Sequence, residues 1–386
     1  MKTGKARHGL TVFLALSALI ALGFSLSCAH HNHHSGDSVK APDIELWVVT
    51  PPTPAEFREN VALGYELHMS DYESLGYTLT KVDILAESAS GDVVKTYEGQ
   101  ELADCVIPFN AERPTPGAWL AAWPEFDTLD KVPAALYHKV YFKDGAGRTR
   151  MVEGALTEVS TTPPMLVSPP VAGDNWWAAA GPSNLDIHHR RVLMTVQDVP
   201  YISQRFAVDW LKLGPDGRVF ANDGTTNEDY YCYGAEVLAV ADATVVDAKD
   251  GFPEQAPNDP MPVQLSPDNI AGNYVILDLG NKHYASYAHI IPGTVQVAVG
   301  DHVSAGQVLG HLGTSGNSTG PHLHFQITDN NTFLWSQGLP YLFGHFTYLG
   351  NIDDQDAMAD GGTWTPTESP IDVTDKFFNG SDVVNF

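Results

Sequence analysis

Through much of this chain apolar residues recur at every second position in short runs, and clusters of Gly, Asn, Asp, Ser and Pro end each run. A period of two places alternate side chains on opposite faces of an extended strand, so the chain is constrained to a mainly β fold. In the first half the runs fall at residues 60–69, 77–86, 92–97, 134–142 and 148–159, with turn residues such as Ser88-Ala89-Ser90-Gly91 and Lys143-Asp144-Gly145 between them. Short strands at regular spacing are the pattern of a β-sandwich, here expected to be Ig-like over 42–160. The 34 glycines and 26 prolines, with only 18% charged residues, argue in the same direction.

The two ends of this region read differently. Lys2, Lys5 and Arg7 precede an apolar run over 10–24 that is too short to span a bilayer, so residues 1–27 are expected to be a signal peptide. It closes on Leu26-Ser27-Cys28, which resembles a bacterial lipobox and implies lipidation of Cys28 as the mature N-terminus. Ala29 in place of a retention Asp then points to the outer membrane, facing the periplasm or the cell surface. Residues 28–41, with His30, His31, His33 and His34, are read as a tether, with metal-binding low complexity as the other reading. Thr161-Thr162-Pro163-Pro164 and Ser168-Pro169-Pro170 mark a linker over 161–172, followed by a second domain at 173–345 with its core at 200–330 and a C-terminal extension at 346–386. With 47 acidic against 21 basic residues, a net charge of −26 repels phosphate backbones and excludes nucleic acid as a partner. Cys105 and Cys232 are left either as a disulfide or as two buried thiols.

The second half carries the chemistry. The turn-rich loop at 315–320 delivers Pro321-His322-Leu323-His324-Phe325 as a strand, on which His322 and His324 share a face about 6–7 Å apart along the chain. His289 ends a neighbouring strand, in Tyr287-Ala288-His289. Three convergent imidazoles suit a divalent metal such as zinc, which in a catalytic site takes three protein ligands and keeps a position open for water. Additional histidines can then act as general base or stabilise a developing oxyanion. The lone His68 and His138 are read as satisfied or surface residues instead.

Around these histidines lie Tyr-Gly-x-x-Val-x-Ala at 233–239, Gly-Asn-Tyr-Val at 272–275, Gly-Asp-x-Val-x-x-Gly-Gln at 300–307 and Gly-x-Ser-Thr-Gly-Pro-His-Leu-His-Phe at 316–325. This ordered series resembles the lysostaphin-like family of zinc endopeptidases that cut peptidoglycan cross-links. The resemblance implies an antiparallel, barrel-sandwich-like β domain, one zinc, peptidoglycan as partner, His324 as a zinc ligand, and His289 and His322 as catalytic groups beside the metal. It also implies an upstream His-x-x-x-Asp pair of ligands. Asp209 fits the acidic member, but Arg205 stands four residues before it, and a guanidinium cannot ligate a cation. Two alternatives follow. Either His189 or His188, or less readily Asp186, completes the site, or Arg205 pairs with Asp209 and the protein is a degenerate peptidoglycan binder or regulator of a cell-wall hydrolase. The Gly-Asp-x-Val segment also resembles lipoyl carriers, but Lys249, the one candidate lysine, leaves the histidines unexplained.

Overall fold

The runs read at two-residue period are strands in the computed structural model, in which strand accounts for 42% and helix for 6%. The structure describes residues 43–107, 117–183, 188–196 and 199–386; Cys28, the His-rich tether and Asp186 lie outside the described residues. In the N-terminal half, Thr149–Glu158, Ala135–Lys143, Thr78–Ala86 and Val93–Glu98 form one antiparallel sheet. Leu46–Val48, Tyr65–Met69, Ala118–Ala122 and Val106–Ile107 form a second. The two sheets bury a common core, to which Leu67 and Leu120 come from one side and Val82 and Val140 from the other.

Alternation in Tyr65–Met69 sends Tyr65, Leu67 and Met69 into that core and turns Glu66 and His68 outward. On a free-standing sandwich those two would be wet. Both are only 4% exposed, because the C-terminal half covers this face. Ile107, Trp119 and Ala121 of the same sheet form a small core with Leu193 and Ile202, and Trp123 packs on Phe206 with ring centroids 5.8 Å apart. The interface is therefore built on the outer face of one sheet rather than from a loose tether.

His138 is fully buried in the sandwich, where its Nδ1–H donates to the Ala155 carbonyl at 3.0 Å and its Nε2 accepts from the Tyr65 hydroxyl at 2.8 Å. Burial pushes its pKa down to about 4, against backbone hydrogen bonds that pull the other way. Since the folded state keeps the ring neutral while the unfolded chain protonates near 6.5, stability is level above pH 6.5 and declines as pH falls toward 4. The loss expected from this one group is about 3 kcal/mol by pH 4. Urea titrations at pH 7 and pH 4.5 check this, and His138→Gln should flatten the difference between them.

In the second half, eleven of the described strands form one sheet. Its order runs Met165–Val167, Tyr341–Asn351, Asp382–Asn385, Trp176–Ala179, Val208–Lys212, Leu323–Thr328, Tyr284–Ile290, Asn273–Asp278, Ala243–Lys249, His302–Val303, with Ile371–Lys376 on the other side of Tyr341–Asn351. Residues 346–386 thus sit inside the sheet: Val383 and Val384 pair with Trp177 and Trp176, and Phe377 and Phe378 fill the core. The Pro-rich stretch also joins it, since Met165–Val167 runs parallel to Tyr341–Phe343 and Val171 is buried. Cys105 and Cys232 are separate buried thiols, and Cys232 donates to the Pro321 carbonyl at 3.1 Å.

Candidate metal centre

Register does most of the assembly. Asp209 on Val208–Lys212 lies directly opposite His324 on Leu323–Thr328, and Ala288 lies opposite His324 on the other side. By alternation His289 should follow Ala285 and Tyr287 into the core. It does not, because its φ of 67° takes the backbone into the left-handed region and turns the ring toward the cleft that Asp209 and His324 line. A non-glycine residue held in that region carries local strain and is worth a functional explanation. The turn is braced by neighbours: Asn273 donates to the carbonyls of Phe252 and Ile290 at 2.9 and 2.8 Å, and Ser315 Oγ donates to Ile290 at 2.7 Å. Gly272 and Gly316 cross so closely that a Cβ on Gly316 would stand 2.3 Å from the Gly272 nitrogen, which accounts for both glycines of the motif.

His189 completes the group from a single 3-10 turn, His189–Arg191. One donor atom each from His189, Asp209 and His324 can be chosen so that all lie within 4.8 Å of one another, and all three residues are buried. His189 Nε2 is 3.4 Å from Asp209 Oδ2, and His324 Nδ1 is 3.0 Å from Asp209 Oδ1. Donors held 2.0–2.1 Å from a tetrahedral zinc stand about 3.3 Å apart, so the spacing fits that ion. The second nitrogen of each ring is committed: His189 Nδ1–H donates to the Ala180 carbonyl at 2.9 Å and His324 Nε2–H to Gln326 Oε1 at 3.0 Å. Gln326 is held in turn by donating to the Phe333 carbonyl at 2.9 Å. These bonds present a lone pair from each ring toward the carboxylate, the arrangement by which outer partners orient metal ligands.

His289 and His322 stand beside this group with ring centroids 4.7 Å apart. Their Nδ1–H groups donate to the carbonyls of Ser315 and Gly320 at 2.7 and 2.9 Å, so Nε2 is the lone-pair nitrogen in both. His322 Nε2 lies 3.6 Å from Asp209 Oδ1. Burial, with His322 and His324 nearby, holds the His289 pKa well below its ordinary value, and burial lowers that of His324 against the pull of Asp209. Burial raises the Asp209 carboxyl, yet the adjacent His189, His322 and His324 outweigh it and keep the group well below the usual carboxylate range. The site is therefore a carboxylate ringed by imidazoles, a donor set that suits a cation.

Arg205 is elsewhere. The His-x-x-x-Asp spacing and the suggested Arg205–Asp209 pair both assume that the strand extends back through residue 205. Instead a turn closed by Ala207 N–H donating to the Gln204 carbonyl at 3.0 Å precedes the strand, which begins at Val208. Gln204 lines the cleft, and Arg205 points to the sandwich, where it donates to Glu66 at 2.5–3.1 Å, to Gln337 at 2.9 Å and to the Gly338 carbonyl at 2.7 Å. His188 lines the cleft but is not among the three donors. Gln204, Gln326 and Phe333 were missed in the sequence; of these only Gln326, two residues beyond His324 on the same strand face, was recoverable from alternation.

This geometry is that of a candidate metal centre on a β domain. Residues 227–334 match peptidase family M23. The chain is 36% identical over 77 residues to the peptidoglycan DD-endopeptidase ShyA of Vibrio cholerae, covering 20% of this chain and 17% of ShyA. It is 34% identical over 107 residues to lysostaphin of Staphylococcus simulans, covering 28% of this chain and 20% of lysostaphin. The similarity thus spans about a fifth of those relatives' length. Among solved structures, the catalytic domain of lysostaphin from the same organism aligns at 25% identity with a TM-score of 0.22, over 33% of this chain and 88% of that one. His189 and Asp209 lie upstream of the matched residues.

Proposed function

We propose that this chain is an envelope-anchored zinc endopeptidase that hydrolyses peptide bonds in peptidoglycan cross-links. The observation that carries this reading is the pairing of a three-donor group, His189, Asp209 and His324, with two further imidazoles whose lone-pair nitrogens face the same cleft. Zinc held by those donors supplies Lewis acidity toward a water and a scissile carbonyl. His289 and His322 are each fixed through Nδ1–H, so Nε2 of either can take a proton from the attacking water and return it to the leaving amine. In its protonated form the same nitrogen can donate to the carbonyl oxygen as charge develops there. The cleft that His289 and His322 line holds about 110 Å³. The regulator alternative turned on Arg205 at the family's first ligand position, and the bonding of Arg205 to Glu66 rather than to Asp209 supports the peptidase reading over it.

Incubating the purified full-length chain with isolated sacculi tests the reading. Release of peptide fragments with new amino termini, abolished by a chelator and restored by zinc, is the expected result; sacculi left intact with zinc bound would overturn it. His289→Ala and His322→Ala should each lower the rate by about 10²–10⁴-fold while leaving zinc bound, as expected for loss of a general acid or base.

The anchor is part of the same proposal and rests on Leu26-Ser27-Cys28. Two or more acyl chains suffice for stable attachment. Cys28→Ala is expected to abolish acyl labelling and leave an uncleaved precursor; normal processing and membrane fractionation of that variant would contradict it.

A further inference from the structure

The turn that presents His189 touches the sheet side through the His189 bond to the Ala180 carbonyl. The residues that follow it are held by the sandwich. Arg190, the next residue, is 1% exposed. Its Nη2 donates to the Ala122 carbonyl at 3.0 Å, and its guanidinium lies over the Trp123 ring at 4.7 Å, both on the sandwich side. Its Nη1 donates to the Ser183 carbonyl at 2.9 Å, so one side chain bonds its own domain and the neighbouring one together. Arg191 adds a bond to the Asp104 carbonyl at 2.7 Å, and Leu193 is buried with Ile107, Trp119 and Ala121. A guanidinium bonded to carbonyls and a ring, with no carboxylate hydrogen-bonded to it among the described residues, is an expensive way to fill a core. Its fork, however, can fix two backbone segments at once, which a lysine or an apolar side chain cannot.

We infer that the N-terminal sandwich is a structural part of the metal centre, and that Arg190 is the positioning residue through which it holds His189 in ligating range of Asp209 and His324. This rests on the proposed metal site and extends it, since the sandwich then supplies the contacts that keep the third donor in place. The geometry makes the coupling short. His189 Nδ1–H reaches Ala180 on one side, its Nε2 faces Asp209 on the other, and the residue between them and the sandwich is Arg190.

The test uses the full-length protein and zinc itself, with affinity read by competition against a chromophoric chelator and ligand number read from the visible spectrum of the cobalt-substituted protein. Arg190→Gln should weaken zinc binding by about 10–100-fold, the range seen when a partner behind a ligand is removed, and should change the cobalt spectrum as one nitrogen is lost. Arg190→Lys, which keeps the charge but not the fork, should recover only part of the affinity and serves in place of Arg190→Gln if that variant does not fold. Lys376→Met breaks a different contact of the same interface, the 2.5 Å pair with Glu56, and controls for general loosening. Wild-type affinity in both Arg190 variants would overturn the inference, as would an equal loss in Lys376→Met. A wild type that binds no zinc would instead overturn the metal-site reading beneath it.

Discussion

Glu66→Ala is expected to lower the unfolding free energy by about 3–5 kcal/mol, because it leaves the Arg205 guanidinium buried without its counter-ion. Glu66 and Arg205 are 4% and 3% exposed, and Arg205 Nη2 stands 2.5 Å from Glu66 Oε2 with Nε bridging both carboxylate oxygens. The remaining Arg205 bonds, to Gln337 and Gly338, are to neutral groups and do not replace the lost charge. A double substitution that removes both charges, Glu66→Gln with Arg205→Met, should cost markedly less than the single one, as removal of a whole buried pair generally does. Arg205→His, which rebuilds the His-x-x-x-Asp spacing, should destabilise the chain without raising zinc affinity, since position 205 faces Glu66 and not Asp209. Chemical denaturation of the four proteins measures the stabilities, and zinc titration of Arg205→His measures the affinity. A Glu66→Ala cost below about 1 kcal/mol, the level of a surface pair, would contradict the buried bridge.

His324→Ala is expected to weaken zinc binding by more than about 100-fold, since removing even a residue that orients a ligand costs 10–100-fold. Peptidase activity should fall with it. Asp209→Asn should do the same while barely changing shape: it removes the negative charge on which His189 and His324 converge. His324→Ala also frees Gln326 and the Phe333 carbonyl beyond it, so Asp209→Asn is the cleaner of the two. Isothermal titration with zinc checks the affinities, and retention of near wild-type binding in Asp209→Asn would exclude the carboxylate as a ligand.

Strand positions in the sandwich were legible because alternation is local: the runs at 77–86 and 134–142 are the strands Thr78–Ala86 and Ala135–Lys143. The His322 and His324 pair was legible for the same reason. What lay beyond reach were contacts between segments distant in sequence. No local pattern shows that Val384 pairs with Trp176, or that residues after 346 complete the sheet begun near 165. Nor does spacing reveal the turn at Gln204–Ala207, which rotates Arg205 out of the register that would have set it beside Asp209. His189 was visible only as one of two adjacent histidines, because what selects it over His188 is the anchoring of Arg190 on a domain more than sixty residues upstream, at Ala122. The polar outer face of Tyr65–Met69 misled in the opposite sense, since Glu66 and His68 are buried by a partner domain that alternation alone cannot see.

The most direct test of the account is the zinc content of the full-length wild type and of His189→Ala, measured by atomic emission after equilibration with a small excess of zinc and gel filtration. Three buried donors with an open position hold one ion, so the account predicts about one zinc per wild-type chain and a large loss in His189→Ala, with both proteins folded. A folded wild type without zinc, or a His189→Ala variant that keeps its full zinc content, would contradict it.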